Sequence, residues 1–348
     1  MKTRPFFSGS ADDRAQVVRL LRQGALVALP TETVYGLAAD ALNVAAVAQI
    51  FAVKGRPLID PLIVHVLDLE KVKCLAEVTL QVKALAEAFW PGPLTLVLPK
   101  KLCVPDLVTS GAPSVAIRVP AHPIFRAILA DSALCLAAPS ANPFGYVSPT
   151  RPEHVARTLG DRVPHIVDGG PCEYGLESTI LSLMDPQKPT ILRPGPLGAA
   201  ALEAILQLPV STKQEAIALD KVNEKNAFIM PGQLKEHYSP ETPLYLCDAI
   251  EAVEGNPQVA YVFWKRPSIH IEAQNVYWLT EQGSVKEAAH HCYDLLQKLD
   301  ALGYEKIVWE LPLHNDPLYE ALKNRMLKAA AKFQSRIAAV SSVVRDLA

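Results

Sequence analysis

The stretch A-L-V-A-L-P-T-E-T-V-Y-G-L, residues 25–37, decides how the N-terminal half of this chain is read. Residues 25–29 are apolar, a proline stands at position 30, and two hydroxyls flanking a carboxylate follow at once. This is the pattern of a buried strand whose end opens into a polar loop. In isolation, T-E-T reads equally as a turn in which Thr31 and Thr33 cap a following helix. Working outward, residues 44–51 carry apolar side chains at helical spacing. Further strands are expected at 62–66, 94–98, 115–119, 134–138, 165–167 and 179–183, and helices at 80–90, 123–130 and 152–159. The alternation predicts an α/β domain with its chemistry in loops at strand ends.

Beyond residue 207 the periodicity fails, and the chain stays polar until P-G-Q-L-K-E-H-Y-S-P at 231–240, which reads as a linker. A second alternating pattern then begins, with strands at 244–247, 259–264, 276–279 and 306–311. Its best helix spans 285–302, where Val285, Ala288, Ala289, Cys292, Leu295, Leu296, Leu299 and Leu302 form one stripe. Ser284 and Glu287 make a capping box, and Gly303 ends the helix. A smaller, Rossmann-like α/β domain is expected, although it lacks G-x-G-x-x-G, so its fold alone does not assign it a nucleotide.

Length and composition bound the answer. A chain of 348 residues is long enough for two domains, and 50% hydrophobic with 20% charged residues describes a globular protein. A formal charge of -2 argues against a protein that coats nucleic acid, which needs a basic excess to displace counterions. The six cysteines are scattered without a C-x-x-C pair, neither a disulfide framework nor a zinc pattern, and a reducing cytoplasm is expected. Lys2 and Arg4 are followed by Ser8, Gly9, Ser10, Asp12 and Asp13 where the apolar core of a signal peptide would stand. No apolar run approaches the roughly 18–20 residues of a membrane span.

The usual nucleotide and zinc-protease fingerprints, G-x-x-x-x-G-K-[ST], G-x-G-x-x-G and H-E-x-x-H, are missing, so any ATP site is built differently. In K-G-R-P at 54–57, two cations flank a glycine and precede a proline, a compact anion clamp, though such a pair is also an ordinary helix end. S-V-A-I-R-V-P at 114–120 puts Ser114, Ala116 and Arg118 on one face of a strand, where Arg118 needs a carboxylate or phosphate, whether a ligand's or the protein's own. A-P-S-A-N-P-F-G-Y-V-S-P-T at 138–150 opens a strand end into hydroxyl and amide donors suited to phosphate or ribose. G-L-E-S-T-I at 175–180 and L-R-P-G at 192–195 complete the set, each compatible with plain turn chemistry.

As a set, in this order and spacing, P-T-E-T-V-Y-G-L, K-G-R-P, P-S-A-N, and S-T-I with R-P-G resemble the YrdC-like family of threonylcarbamoyl-adenylate synthases. The P-G-x-x-x-x-H-Y-S-P string and the α/β tail are similar to that family's long, two-domain form. The resemblance implies a YrdC-like twisted-sheet domain with an open concave cavity over residues 1–206, a linker at 207–240 closing over the active site, and a Rossmann-like domain at 241–348. It implies that L-threonine, bicarbonate or CO2, and ATP give threonylcarbamoyl-AMP, pyrophosphate and water. This is the first step of N6-threonylcarbamoyladenosine formation at the tRNA adenosine 3′ of the anticodon.

By the same resemblance, Lys54 and Arg56 hold phosphates and offset developing charge. Asp60, Ser114, Ser140, Asn142, Ser148, Arg193 and Tyr238 join them around ATP, with Tyr238 turning the linker into a lid. Thr33, His65, Arg118, Ala138 and Ser178 bind threonine, Arg118 being the natural partner of its carboxylate. Asp60 departs from the family's usual asparagine, and an acidic group there requires a metal or Lys54 or Arg56 as partner. Magnesium is expected to arrive on ATP, since the sequence has no dedicated carboxylate cage and no metal ligands of its own are assigned. The implied partners are separate tRNA threonylcarbamoyl-transfer proteins, with a weak tRNA contact and no membrane.

No general acid or base is identified, because Glu32 reads equally as a structural hydrogen-bond acceptor. His290 and His291 beside Cys292 face different ways on a helix and do not form a metal site. Carbamoyl transfer in metal-cluster assembly uses larger proteins with zinc-binding cysteine pairs, which this chain lacks. From a different class, a non-catalytic RNA-binding or ribosome-assembly module remains the alternative; it predicts steeply salt-dependent RNA binding without ATP turnover.

Overall fold

The apolar run at 25–29 forms strand β1 (Val27–Leu29), whose three side chains are all buried. After it comes a turn and a second strand, β2 (Gly36–Asp40), antiparallel to β1 with Val27 opposite Ala38 and Leu29 opposite Gly36. The helix that Thr31 and Thr33 could have capped does not form. Thr31 instead closes the turn: its Oγ1 accepts from the N–H groups of Thr33 (3.0 Å) and Val34 (3.1 Å) and donates to the Val34 carbonyl (2.6 Å).

This computed structural model describes residues 6–212, 237–253, 255–268 and 274–345, with burial assigned as far as residue 333. The chain divides into two compact units. The first holds the described residues 6–144 and 149–212, and the second holds 145–148 together with those from 237 onward.

In the first unit the elements follow as α1 (Ala11–Arg22), β1, β2, α2 (Val44–Lys54), β3 (Ile63–His65), α3 (Leu69–Leu75), α4 (Leu80–Phe89), β4 (Leu94–Pro99), α5 (Asp106–Thr109), β5 (Ser114–Arg118), α6 (Pro123–Ser132), β6 (Leu136–Ala137), α7 (Pro152–Leu159), β7 (Thr179–Ser182), β8 (Thr190–Arg193), α8 (Ala199–Leu206) and β9 (Ser211–Thr212). The strands build one mixed sheet in the order β1-β2-β6-β3-β5-β4-β7-β8-β9. The strand expected at 165–167 is reduced to isolated bridges, Phe7 with Val167 and Ala28 with Ile166, because Pro164 and the Asp168-Gly169-Gly170 turn confine it. Helix α1 was not anticipated, yet its start is chemically marked: the Ser10 side chain accepts from the Asp13 N–H, and Asp12 and Asp13 lie in the first turn.

Strand alternation separates two layers. Leu37, Val64, Leu94, Leu96, Val115 and Ile117 join Val47 and Ile50 of α2 and Val82 and Leu85 of α4 in the larger core. Val17 and Leu21 of α1 and Phe125, Ile128 and Leu129 of α6 pack with Val27, Leu29, Ala38 and Leu136. Each buried Val, Leu, Ile or Phe among them contributes roughly 1.5–3 kcal/mol. Between β3 and β7 a small apolar group, Ile63, Val97, Ala116 and Ile180, is buried apart from both cores. The polar residues of the site are one or two positions along these same strands.

The second unit contains β10 (Leu244–Cys247), β11 (Val259–Lys265), β12 (Val276–Thr280), α9 (Val285–Leu302), β13 (Lys306–Glu310) and α10 (Pro317–Arg345). Its four strands are all parallel, in the order β10-β13-β11-β12. Helix α9 starts with the Ser284 side chain accepting from the Glu287 N–H and ends at Gly303 in the left-handed region, φ 73°. The capping box is completed on one side only, since Glu287 Oε1 accepts from the Glu281 N–H at 3.2 Å.

The linker expected at 207–240 needs correction where it is described. After Gln207 the chain re-enters the first unit as β9, pairing with β8, and the Val210 N–H is taken by Glu203 Oε1 at 2.9 Å. Residues 213–236 lie outside the described part. Tyr238 is packed within the second unit, 1% exposed, its ring stacked 6.0 Å from Tyr293 with the Arg325 guanidinium 5.3 Å from its centroid. Cys292 lies in the interior with its Sγ 3.4 Å from Met326 Sδ, while His291 Nδ1 is 3.0 Å from the Leu279 carbonyl. Among the described residues no helix is long and apolar enough to cross a membrane, and no group of three or more His, Cys, Asp or Glu side chains is arranged to hold a metal.

Candidate active site

Pairing register assembles the first half of the site. Arg118 ends β5, with His65 of β3 beside it in parallel register and Thr95 of β4 beside it in antiparallel register, so three polar side chains share one face of the sheet. Arg118 is 3% exposed. Its Nη1 donates to Thr33 Oγ1 (2.9 Å), its Nε donates to the Gly92 carbonyl (3.1 Å), and its Nη2 lies 2.7 Å from Glu32 Oε1. Thr33 Oγ1 is in turn 2.8 Å from Thr31 Oγ1, so the T-E-T turn aims three side chains at one guanidinium or its anchor.

Ser178 stands immediately before β7, its Oγ 2.7 Å from Thr95 Oγ1. Arg193 forks onto it: Nε and Nη2 donate to the Ser178 carbonyl at 3.1 and 3.0 Å, and Nη2 also reaches Ser178 Oγ at 3.0 Å. The pairing of S-T-I with R-P-G therefore has a steric reason as well. A Cβ on Gly195 would come within 2.3 Å of the Thr179 nitrogen, so only glycine lets the two segments close. The Ala138 N–H donates to the Ile63 carbonyl at 3.1 Å, which fixes the start of the 138–150 loop beside β3.

The second half is cationic. Helix α2 ends at Lys54, with Gly55 as a left-handed cap, φ 63°. Lys54 Nζ donates to the carbonyls of Ser140 (2.5 Å) and Asn142 (2.6 Å), so it pins the P-S-A-N loop. Burial and then the Arg56 guanidinium push the Lys54 ammonium well below the ordinary lysine range, and Asp60 opposes them. Arg56 Nε donates to the Asp60 carbonyl (2.9 Å), and its Nη2 donates to the Pro61 carbonyl (2.8 Å) and lies 2.9 Å from Asp60 Oδ1. The Arg56 guanidinium also sits 6.0 Å from the Phe144 ring centroid. Asp60 is thus a partner of Arg56, one of the two cations its charge required.

One loop connects the halves. Gly36 bridges Ser140, the Leu37 N–H donates to the Pro139 carbonyl (2.7 Å), and the Ala141 N–H donates to the Tyr35 carbonyl (2.8 Å). The loop that Lys54 holds is therefore the one laid against the strand leaving T-E-T. Thr33, His65, Ser114, Arg118, Ala138, Ser178 and Arg193 belong to this first unit, as do Lys54, Arg56, Asp60, Ser140 and Asn142. Ser148 and Tyr238 belong to the second, where the Ser239 N–H donates to the Gly145 carbonyl (2.8 Å) and Gln297 Nε2 to the Val147 carbonyl (3.0 Å).

His65 is 3% exposed and stacked 5.3 Å from Phe125, and burial followed by the Arg118 charge pushes its imidazole down to about 3. It is a neutral ring in the folded protein. Thr95 and the Gly92 carbonyl escaped the sequence reading. Thr95 had a usable signal, as the one hydroxyl in an otherwise apolar strand, L-T-L-V-L. Cys172, the buried thiol near Glu32, is pushed up by burial and by that carboxylate, so it is not held as a reactive thiolate.

A family model for Sua5, YciO and YrdC proteins, described as "Telomere recombination", matches residues 19–195, and another, described as "Threonylcarbamoyl-AMP synthase, C-terminal domain", matches residues 198–331. A threonylcarbamoyl-AMP synthase of Bacillus subtilis is 38% identical over 95% of this chain and 98% of that protein. One from Pyrococcus abyssi is 35% identical over 89% and 92% of the respective chains. The crystal structure of P. abyssi Sua5 complexed with L-threonine matches with a TM-score of 0.80 at 34% identity, covering 92% of this chain and 95% of that one. With matches running through both units, this chain belongs to the Sua5/YrdC family of threonylcarbamoyl-AMP synthases, in its two-domain form.

Proposed function

We propose that this chain condenses L-threonine, bicarbonate or CO2, and ATP into threonylcarbamoyl-AMP, with release of pyrophosphate and water, and is thus a nucleotidyltransferase. The observation that carries the reading is the single loop at 138–142. It is held by Lys54 through two carbonyls and laid against the strand that leaves Thr33, so a cationic centre and the Thr33–Arg118–Ser178 cluster form one structure. A threonine carbamate and the α-phosphate of ATP are both anions, and their reaction needs fixed positive charge and excluded water more than a nucleophile. Lys54 and Arg56 supply that charge, both almost fully buried.

In this reading Arg118 binds the threonine carboxylate, with Thr33, Ser178 and the neutral His65 around the rest of the amino acid. Lys54, Arg56, Ser140 and Asn142 face the nucleotide, joined by Ser114 and Arg193. Magnesium comes with ATP as part of the substrate. Asp60 is engaged with Arg56, and no other carboxylate group among the described residues forms a cage for the metal. The product passes, in the cytoplasm, to separate proteins that transfer the threonylcarbamoyl group to tRNA.

The test is pyrophosphate release by the full chain with ATP and bicarbonate, with and without L-threonine, beside Arg56→Ala and Arg118→Ala. Threonine-dependent release that both variants lose is the expected result. Release that ignores threonine would overturn the reading and put an RNA-binding module in its place.

A further inference from the structure

Glu32 is the carboxylate whose surroundings the roles above leave unexplained. It is 4% exposed, and neither of its oxygens takes part in a hydrogen bond of normal geometry. Oε1 lies 2.7 Å from Arg118 Nη2 as a close ion pair, and Oε2 has no hydrogen-bond partner among the described residues. Leaving a carboxylate oxygen buried and unsatisfied is unfavourable, which a purely structural acceptor would avoid. Besides Arg118, the charge of Glu32 acts on His122, Cys172 and Tyr174. Burial pushes the His122 imidazole down and the Cys172 and Tyr174 protons up, so all three favour neutral forms. Arg118 is the one cation among them.

That single cation has two claims on it once an amino acid binds. If the substrate carboxylate meets Arg118, two anions share one buried guanidinium, an arrangement low-dielectric surroundings penalise heavily. A second positive charge beside Glu32 resolves the conflict. An α-amino acid carries one, its ammonium group, a single carbon away from the carboxylate.

Resting on the function proposed above, we infer that Glu32 is the counter-ion of the substrate's α-ammonium group, so that the buried Glu32–Arg118 pair recognises the amino acid as a zwitterion. Carboxylate meets guanidinium, ammonium meets Oε2, and charges alternate around the site. Glu32 is then a specificity-determining residue that touches substrate, selecting a free primary amine before any chemistry begins.

The experiment is calorimetric binding of two ligands to the full chain, with bicarbonate omitted and a non-cleavable α,β-methylene analogue of ATP present. One ligand is L-threonine. The other is (2S,3R)-2,3-dihydroxybutanoate, which replaces the ammonium by a hydroxyl and keeps the carboxylate. The wild-type chain is expected to bind threonine about 100-fold more tightly, and Glu32→Gln to weaken threonine by about 30-fold while binding the dihydroxy acid as well as the wild type does or better. Equal losses for both ligands in Glu32→Gln would mean that Glu32 merely holds Arg118 in place, and would overturn the inference. So would unchanged threonine affinity in that variant. Should Glu32→Gln fail to fold, the wild-type comparison suffices, since equal affinity for the two ligands sinks the inference without any variant. A wild-type chain that binds neither ligand would remove the proposed function together with this inference, whereas threonine binding indifferent to Glu32 removes the inference alone.

Discussion

Asp60 Oδ1 lies 2.9 Å from Arg56 Nη2, four residues before it, with both side chains about 5% exposed or less. Asp60 also offers its backbone carbonyl to Arg56 Nε, so one residue holds the guanidinium from two directions. Asp60→Ala is expected to cost about 3–5 kcal/mol, because a buried cation loses its counter-ion. Asp60→Asn keeps an oxygen acceptor and should cost distinctly less, while the added net positive charge beside Lys54 tightens ATP binding. Urea unfolding and the KM for ATP measure the two effects. Equal destabilisation by Ala and Asn would show that the lost charge alone sets the cost and that the acceptor oxygen contributes nothing to the pair.

His65 makes the acid stability of the protein calculable in sign. Its imidazole is pushed from 6.5 down to about 3 by burial and by Arg118, so the folded chain carries it neutral. Below the unfolded value, the unfolded chain binds a proton that the folded chain refuses, and stability falls as pH drops from 6.5 towards 3. The slope contributed by this residue reaches about 1.4 kcal/mol per pH unit. His65→Phe should flatten the difference in unfolding free energy between pH 6 and pH 4 by close to one proton. An unchanged slope in that variant would mean that His65 is protonated in the folded state.

Gly195 tests whether Ser178 is positioned by close backbone packing. An alanine Cβ there would approach the Thr179 nitrogen to 2.3 Å and the Ser178 carbonyl carbon to 2.6 Å, both backbone atoms that cannot rotate away. Gly195→Ala should therefore destabilise by about 1–3 kcal/mol. Because Ser178 belongs to the Thr33–Arg118 half, KM for threonine should rise more than KM for ATP. A variant with wild-type stability and an unchanged threonine KM would show that the segments can separate without consequence.

How much of this was legible beforehand depended on the length of the pattern. Helix α9 could be read to the residue, because an apolar stripe runs through every turn of its eighteen residues, between a Ser cap and a Gly stop. Strand β2 was missed because G-L-A-A-D alternates nothing; it is buried at four of five positions, and periodicity carries no signal there. The faces of β5 were legible, since Ser114, Ala116 and Arg118 obey the two-residue period. What Arg118 meets was not, because Glu32, Thr33 and Gly92 reach it through tertiary closure. Likewise K-G-R-P reads as an outward clamp, yet Lys54 and Arg56 spend hydrogen bonds on carbonyls of the protein itself. The two cations could be read from the motif, but not the carbonyls that each one holds.

That use of Lys54 leads to a prediction about protons. Burial and Arg56 hold its ammonium well below the ordinary lysine range in the free protein. A nucleotide phosphate brought beside it reverses the balance, since an adjacent anion favours the charged form. ATP binding at alkaline pH should therefore be accompanied by proton uptake. Isothermal titration in buffers of different ionisation enthalpy measures this directly: the observed enthalpy should vary with buffer, by up to one proton's worth, and Lys54→Met should remove that dependence. The same variant leaves the Ser140 and Asn142 carbonyls without their donor and loosens the loop laid against Tyr35, so kcat/KM should fall by about 10²–10³-fold. Buffer-independent enthalpies across pH 7–10 in the wild-type chain would instead mean that Lys54 is already fully charged in its carbonyl cage, its two short hydrogen bonds outweighing burial before any nucleotide arrives.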